Sequence, residues 1–299
     1  MPGWRLALRI LARLPQPALS RVTGRLADVR IPRPLRRAVL GAFAHTLHID
    51  VTEAEKPLVD YPTFDAFFVR RLRAGSRSWP ADAHAVAAPV DGIFGEAGAI
   101  EDGRLLQAKG REYTVDELLA DDGDARRFDR GTFVTLYLSP RHYHRIHAPV
   151  AGQVTSLRRV PGALLPVNAA AVAHVDRLFP RNERAICTID GPAGRVAVVA
   201  IGAFNVGRIT ASFLPAGDED GTQITNLRAP GSRSERIEVP IAVERGAEIM
   251  AFHLGSTVVL LFEPGRVQTD ASVERETEVR LGASIGSIRA PAASEKNTP

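Results

Sequence analysis

The residues best suited to chemistry are Leu254-Gly255-Ser256-Thr257, a glycine followed at once by two hydroxyls within the uncharged run Ile249 to Phe262. Glycine reaches backbone angles that other residues avoid, so the Gly255 carbonyl can be turned toward the Ser256 side chain. A serine Oγ so placed can attack the carbonyl before it and shift the acyl group from nitrogen to oxygen. The same residues suit a strand bulge with its hydroxyls bonded to backbone, because a glycine inside a strand commonly marks one. The run as a whole, nearly all apolar from Val258 to Phe262, reads as one buried strand.

A second reactive stretch runs from Ser139 to Pro149 and holds His142, His144 and His147, three of the eight histidines in the chain. It follows the apolar stretch Thr132 to Leu138, and Pro140 and Pro149 bracket it. An irregular turn or a short strand at a sheet edge is expected there. Imidazole exchanges protons near neutral pH and also binds zinc. The spacing alone leaves proton transfer, metal binding and plain solvent exposure equally open. His45, His48, His84 and His174 are scattered and read as surface or packing residues.

Ala88-Pro89-Val90-Asp91-Gly92 recurs as Ala148-Pro149-Val150-Ala151-Gly152. Each copy reads as a strand entered through proline and turned at glycine, so the duplication predicts two similarly placed strands. If the copies lie side by side, Asp91 of the first meets His147, which precedes the second. An acid that orients a histidine that activates a serine is the logic of a charge relay; a turn-capping carboxylate is the plainer use of Asp91.

Together these pieces resemble the bacterial phosphatidylserine decarboxylase proenzymes, a pyruvoyl-dependent family. The resemblance runs in order through Phe64-Asp65-Ala66-Phe67-Phe68-Val69-Arg70-Arg71-Leu72, Ala88 to Gly92, Leu106 to Gly110 and Gly131 to Pro149. It continues through Val160-Pro161-Gly162, Asn182-Glu183-Arg184 and Leu254 to Thr257. Two positions depart from it: His142 replaces an acidic residue and His253 a basic one.

The resemblance implies self-cleavage between Gly255 and Ser256, with His147 as base toward Ser256 and Asp91 fixing its tautomer. The products are a β chain of residues 1–255 and an α chain of residues 256–299. Ser256 becomes the pyruvoyl group, the covalent pyruvate cofactor, which forms a Schiff base with phosphatidylserine and acts as electron sink. His144 is the implied proton donor in decarboxylation, which yields phosphatidylethanolamine and CO2. No metal is implied. The rival reading is a metallohydrolase with His142, His144 and His147 as ligands. A lipoyl- or biotinyl-type carrier would need a lysine on an exposed hairpin; lysine occurs only at 56, 109 and 296, and Lys109 lacks that context.

Charge is unevenly spread. Residues 1–37 hold nine arginines against the single acid Asp28, a net +8, and the other 262 residues carry −4. Arg5, Arg9 and Arg13 recur every fourth residue, with Trp4, Leu8 and Leu11 beside them, and predict a helix ended by Pro15. A second helix is expected from about Pro34, carrying Leu35, Val39, Leu40, Phe43 and Leu47. Basic residues near an anionic bilayer are worth ~1 kcal/mol each, so this end is expected to hold the protein on a membrane. No DNA-binding motif accompanies the basic stretch, which argues against nucleic acid.

No apolar run reaches the ~20 residues that a spanning helix needs, and the N-terminal arginines interrupt any signal-peptide core. Cys187 is the only cysteine, so no internal disulfide can form. A peripheral protein on the cytoplasmic side is expected; a homodimer is compatible with this reading.

Elements that must position these groups are mainly strands: Thr132–Leu138, Ile186–Ile189, Val196–Phe204, Ile237–Val243, Ser256–Phe262 and Glu278–Ile288. Helices are expected at Thr63–Leu72 and Thr114–Ala120. Glycine- and proline-rich turns between strands favour an α+β fold, with N-terminal amphipathic helices and a mainly antiparallel, sandwich-like catalytic core. The expected division is a basic helical region 1–50, a catalytic domain 51–289 and a disordered tail 290–299. Val160–Val172, apolar with two prolines, is expected to border the lipid-binding mouth through Leu164 and Leu165.

Overall fold

The apolar run Val258 to Phe262 takes the form its composition demands: Thr257–Phe262 is a strand buried at every residue. It pairs antiparallel with Thr132–Tyr137 on one side and Gly194–Ile201 on the other. In a computed structural model describing residues 16–204, 208–214, 221–225, 235–253 and 255–289, it lies within an eight-stranded sheet. The spatial order is Glu235–Val243, Gly152–Val160, Arg184–Gly191, Gly194–Ile201, Thr257–Phe262, Thr132–Tyr137, Gly92–Ala99 and Glu278–Val279.

A second, four-stranded antiparallel sheet runs Thr222–Gln223, Ile209–Ala211, Glu248–Phe252, Arg145–His147. Smaller sheets join Ala85–Ala87, Ser284–Ile288 and Val267–Thr269, and Arg104–Ala108 with Arg111–Thr114. The architecture is α+β, with N-terminal helices ahead of a β-rich core.

One expectation fails where it matters most. Ile249 to Phe262 is not one strand: Glu248–Phe252 belongs to the four-stranded sheet and Thr257–Phe262 to the eight-stranded one. The chain changes sheets between them, and Gly255-Ser256 lies in that passage. Glu278–Ile288 is likewise two strands, because the chain turns through Gly282 at φ +86°. A β-carbon at Gly282 would stand 2.4 Å from the Ser78 carbonyl oxygen, so only glycine fits.

The helix expected at Thr63–Leu72 is only Phe64–Phe68. Thr63 caps it by accepting the Ala66 N–H at 3.0 Å. Beyond it the backbone is drawn into pairing with residues 53–55: the Glu55 N–H reaches the Arg71 carbonyl, the Arg73 N–H reaches Glu53, and Ala54 bridges Leu72. Val115–Leu119 forms near its expected bounds, with Thr114 and Glu117 making a capping box.

Leu164 and Leu165 do not line a lipid mouth; they are 0% and 2% exposed. The Asn182 side chain pins this loop inward, its Oδ1 accepting the Leu165 N–H at 3.1 Å and its Nδ2 donating to the Leu165 carbonyl at 2.9 Å.

At the N-terminal end, helices Gln16–Ala27 and Arg33–Leu47 are present. The helix expected around Arg5, Arg9 and Arg13 and the tail 290–299 lie outside the described residues. Ile31, Leu40, Ala44, Ile49, Tyr61 and Phe67 form a small core of their own. The short helix Phe64–Phe68 joins the two parts, since Phe67 enters this cluster and Phe68 packs on His144.

Candidate active site

The passage between the two sheets is tight. A β-carbon at Gly255 would sit 2.9 Å from the Leu138 carbonyl oxygen and 3.4 Å from His144 Nε2. Residue 255 is glycine because backbone and imidazole close on it from both sides. The Ser256 carbonyl accepts the Leu138 N–H at 2.7 Å, which fixes the peptide plane after it. Ser256 is fully buried, yet its Oγ has no hydrogen-bond partner among the described residues, and neither has Thr257 Oγ1. A buried hydroxyl with no partner forfeits its hydration for nothing, about 1–3 kcal/mol. Such a group invites a chemical explanation.

His144 shares that isolation. Both its ring nitrogens lack partners, and its ring packs on Phe68 at 4.1 Å between centroids. Burial, then the charges of Arg70 and His142, hold its pKa well below the usual histidine value, with the His142 backbone opposing. It is therefore a neutral imidazole against the Gly255–Ser256 pair.

The duplicated turns do lie side by side. The Ala87 N–H donates to the Pro149 carbonyl at 2.9 Å, and the His147 N–H donates to Pro89 at 2.9 Å. His147 falls on the short strand Arg145–His147 at the edge of the four-stranded sheet, as the bracketing prolines foretold. Adjacency does not join Asp91 to His147 by a hydrogen bond. Asp91 Oδ1 and Oδ2 accept from Arg77 Nε and Nη2 at 2.9 and 2.5 Å, and Oδ1 also accepts the Leu281 N–H at 2.7 Å.

His147 Nδ1 instead gives its proton to the Gly246 carbonyl at 2.7 Å, which leaves Nε2 to accept the Tyr143 hydroxyl at 3.3 Å. Burial lowers the His147 pKa; the Gly246 bond and the carboxylates of Glu248 and Asp91 oppose that shift. The carboxylate of Asp91 thus reaches His147 as a charge through space, while a backbone carbonyl selects the tautomer.

His142 points elsewhere, its Nδ1 accepting the Ser139 N–H at 3.1 Å. Burial and the Arg141 charge take its pKa down to about 4. It lines, with Asp91, Arg77 and Arg70, a cavity of about 390 Å³. The three histidines do not converge, and among the described residues no three His, Cys, Asp or Glu side chains could hold a metal ion. The metallohydrolase reading loses its ligand set.

Several participants were given no role by the sequence. Asp65, on the first turn of Phe64–Phe68, accepts from His253 Nδ1 at 2.9 Å and from Arg208. The Thr210 hydroxyl completes the chain by donating to His253 Nε2 at 3.2 Å. Burial alone would raise the Asp65 pKa; His253 and Arg208 outweigh it and hold it low. This buried group anchors the residue two before Gly255, and it lines a cavity of about 490 Å³. The sequence signals were that Asp65 fell inside the matched stretch Phe64 to Leu72 and that His253 stood in a position expected to be basic, and neither pointed to the other.

The chain is an α+β protein with a glycine–serine junction buried between two sheets, and the comparisons place it more closely. Residues 64–287 match the family model described as phosphatidylserine decarboxylase, and the chain belongs to that family. A phosphatidylserine decarboxylase proenzyme of Anaeromyxobacter sp. (strain K) is 46% identical over 283 residues, covering 94% of this chain and 98% of the relative. One from Myxococcus xanthus is 43% identical over 281 residues, covering 94% and 98%. Another, from Brevibacillus brevis, is 36% identical over 290 residues, covering 96% and 100%.

Proposed function

We propose that this chain is the precursor of a pyruvoyl-dependent phosphatidylserine decarboxylase that cuts itself between Gly255 and Ser256. The observation that carries the reading is the buried junction itself, with an unpartnered Ser256 Oγ and a neutral His144 against Gly255. A base takes the hydroxyl proton as Oγ bonds to the Gly255 carbonyl carbon; the peptide C–N bond breaks and the nitrogen is protonated. Loss of the Ser256 Cα proton then expels the Gly255 carboxylate. Gain of one water and loss of one ammonia leave a pyruvoyl group on the new N-terminus.

These unsatisfied groups fit residue 256 as the site of that conversion. When present, the group supplies an electron sink for CO2 loss from the amine-bearing head group. His147 is the base in this scheme: Nδ1–H on Gly246 keeps a lone pair at Nε2, and Asp91 raises its proton affinity by charge. His144 holds the proton that returns to the substrate carbon after CO2 has left.

Cutting does not release the α chain. Its strand Thr257–Phe262 is paired on both sides by β-chain strands, and Ser284–Ile288 pairs with Ala85–Ala87. Intact mass under denaturing conditions tests the scheme. Two chains are expected, of 255 and 44 residues, the shorter one ammonia lighter than hydrolysis would leave it. A single uncut chain that decarboxylates phosphatidylserine would end this reading.

The relay has its own test by the same readout, taken over time after synthesis. His147→Ala is expected to slow cleavage by about 10²–10⁴, the usual contribution of a general base. Asp91→Asn should slow it less, because no hydrogen bond to His147 is lost. Cleavage of His147→Ala at the normal rate would move the base elsewhere.

No helix among the described residues is long and apolar enough to cross a membrane. The N-terminal helical region supports peripheral attachment instead. Val22, Leu26, Val29 and Leu35 are half or more exposed, among Arg21, Arg25, Arg30 and Arg37. The double variant Leu26→Glu, Leu35→Glu should lower binding to vesicles rich in phosphatidylglycerol about tenfold or more, since a buried leucine is worth about 1.5 kcal/mol or more. Unchanged sedimentation with the vesicles would place the membrane contact elsewhere.

A further inference from the structure

Arg70 follows the short helix that presents Phe68 to His144, and it is a cation with nowhere to go. The residue is 4% exposed, its guanidinium carbon lies 5.4 Å over the Phe67 ring, and its Nε and Nη1 have no hydrogen-bond partner among the described residues. Four of its basic neighbours are engaged. Arg77 holds Asp91 and Glu53, Arg141 holds Glu278, Arg145 holds Glu248, and Arg280 holds Glu53. A guanidinium cannot shed its proton at ordinary pH, and this one feels the carboxylates of Asp91 and Glu53 only through space, so it stays buried at a desolvation cost that no hydrogen bond from Nε or Nη1 offsets. The missing partner is an anion that arrives from outside.

We propose that Arg70 binds the phosphodiester of the substrate head group and so orients the serine amine and carboxylate toward residue 256. The assignment rests on the decarboxylase reading above. Position supports it, because Phe68, two residues earlier, packs on His144, and the Arg70 charge acts on that same imidazole. Access supports it too. Arg70 lines a cavity of about 950 Å³ in which Arg30, Lys56, Arg71 and Arg145 outnumber Glu55 and Asp60. Arg30 belongs to the link between the two N-terminal helices, so the cavity connects their exposed arginine-rich side with the buried cation.

The phosphodiester is favoured over the carboxylate on energetic grounds. Carbon dioxide leaves uncharged, so a guanidinium paired to the carboxylate would stabilise the ground state and lose that stabilisation in the transition state. A phosphodiester keeps its charge throughout, and holding it provides uniform binding and orientation.

The test uses cleaved Arg70→Gln and Arg70→Lys beside wild type, with short-chain phosphatidylserine in detergent micelles. Arg70→Gln is expected to raise KM about 10- to 100-fold, the worth of a charged hydrogen-bonded pair, with kcat far less affected. Arg70→Lys should fall between, since an ammonium keeps the charge and loses the fork. Glycerophosphoserine and glycerophosphoethanolamine should both inhibit Arg70→Gln more weakly than wild type and by similar factors, whereas free serine should inhibit both proteins alike.

A normal KM in Arg70→Gln overturns the proposal, and so does weakening confined to the two compounds that carry a carboxylate. Should Arg70→Gln fail to cleave, Arg70→Lys carries the same comparison; failure of both assigns Arg70 to precursor folding and overturns the proposal. A wild type that cleaves but leaves phosphatidylserine untouched faults the decarboxylase reading itself, and that arm is read before any variant.

Discussion

Ser256→Ala is expected to remain a single chain of 299 residues and to lose decarboxylation entirely. In the proposed scheme the two losses have one cause, because the nucleophile for cleavage is also the precursor of the reacting group. The variant is unusually clean for a buried position. Ser256 is 0% exposed and its Oγ makes no hydrogen bond among the described residues, so alanine removes no bond and relieves an unsatisfied hydroxyl. The Ser256 carbonyl and the Leu138 N–H that it accepts belong to the backbone and survive the change. Circular dichroism should therefore match that of a folded β-rich protein while mass spectrometry finds no cut. Activity on phosphatidylserine in this uncut variant would place the chemistry at another residue.

The pieces of the candidate site could be picked out in the sequence because each is local. A glycine before a serine, a histidine-bearing segment between prolines and a repeated Ala-Pro-Val turn each span a few residues. The repeat even anticipated the packing, since His147 and Pro89 are joined by backbone. What stayed hidden is tertiary. Ile249 to Phe262 contains no charge and only one glycine to interrupt it, so nothing local says that its two halves join different sheets.

Leu164 and Leu165 are apolar whether they face a core or a lipid, and Asn182, 17 residues beyond Leu165, decides for the core. Asp65 and His253 are 188 residues apart, and neither alone signals a pair. The expected charge relay does not appear as hydrogen bonds between Asp91 and His147. Asp91 found Arg77, a neighbour that the turn motif did not include, and His147 found a backbone carbonyl that no side-chain pattern could name.

That difference bears on His144→Gln, which is expected to cleave after Gly255 and then decarboxylate about 10²–10⁴ more slowly than wild type. Burial disfavours the imidazolium, so the folded-state pKa lies below the ordinary value and the ring stays neutral as pH falls through the usual histidine range. A substrate that brings a carboxylate and a phosphodiester into this site reverses the balance, since nearby negative charge favours the protonated ring. In the proposed scheme His144 then holds a proton only while substrate is bound, and gives it to the carbon that CO2 has left. Accordingly kcat/KM should show no inflection from free His144 between about pH 6 and 7, where an unperturbed histidine would titrate. Glutamine keeps a polar side chain beside Phe68 and Gly255 but cannot cycle a proton, so its defect should appear in kcat. If His144→Gln instead stays uncut, the imidazole lying against Gly255 is itself the base for cleavage, and His147, held by Gly246 and Tyr143, supports the turn.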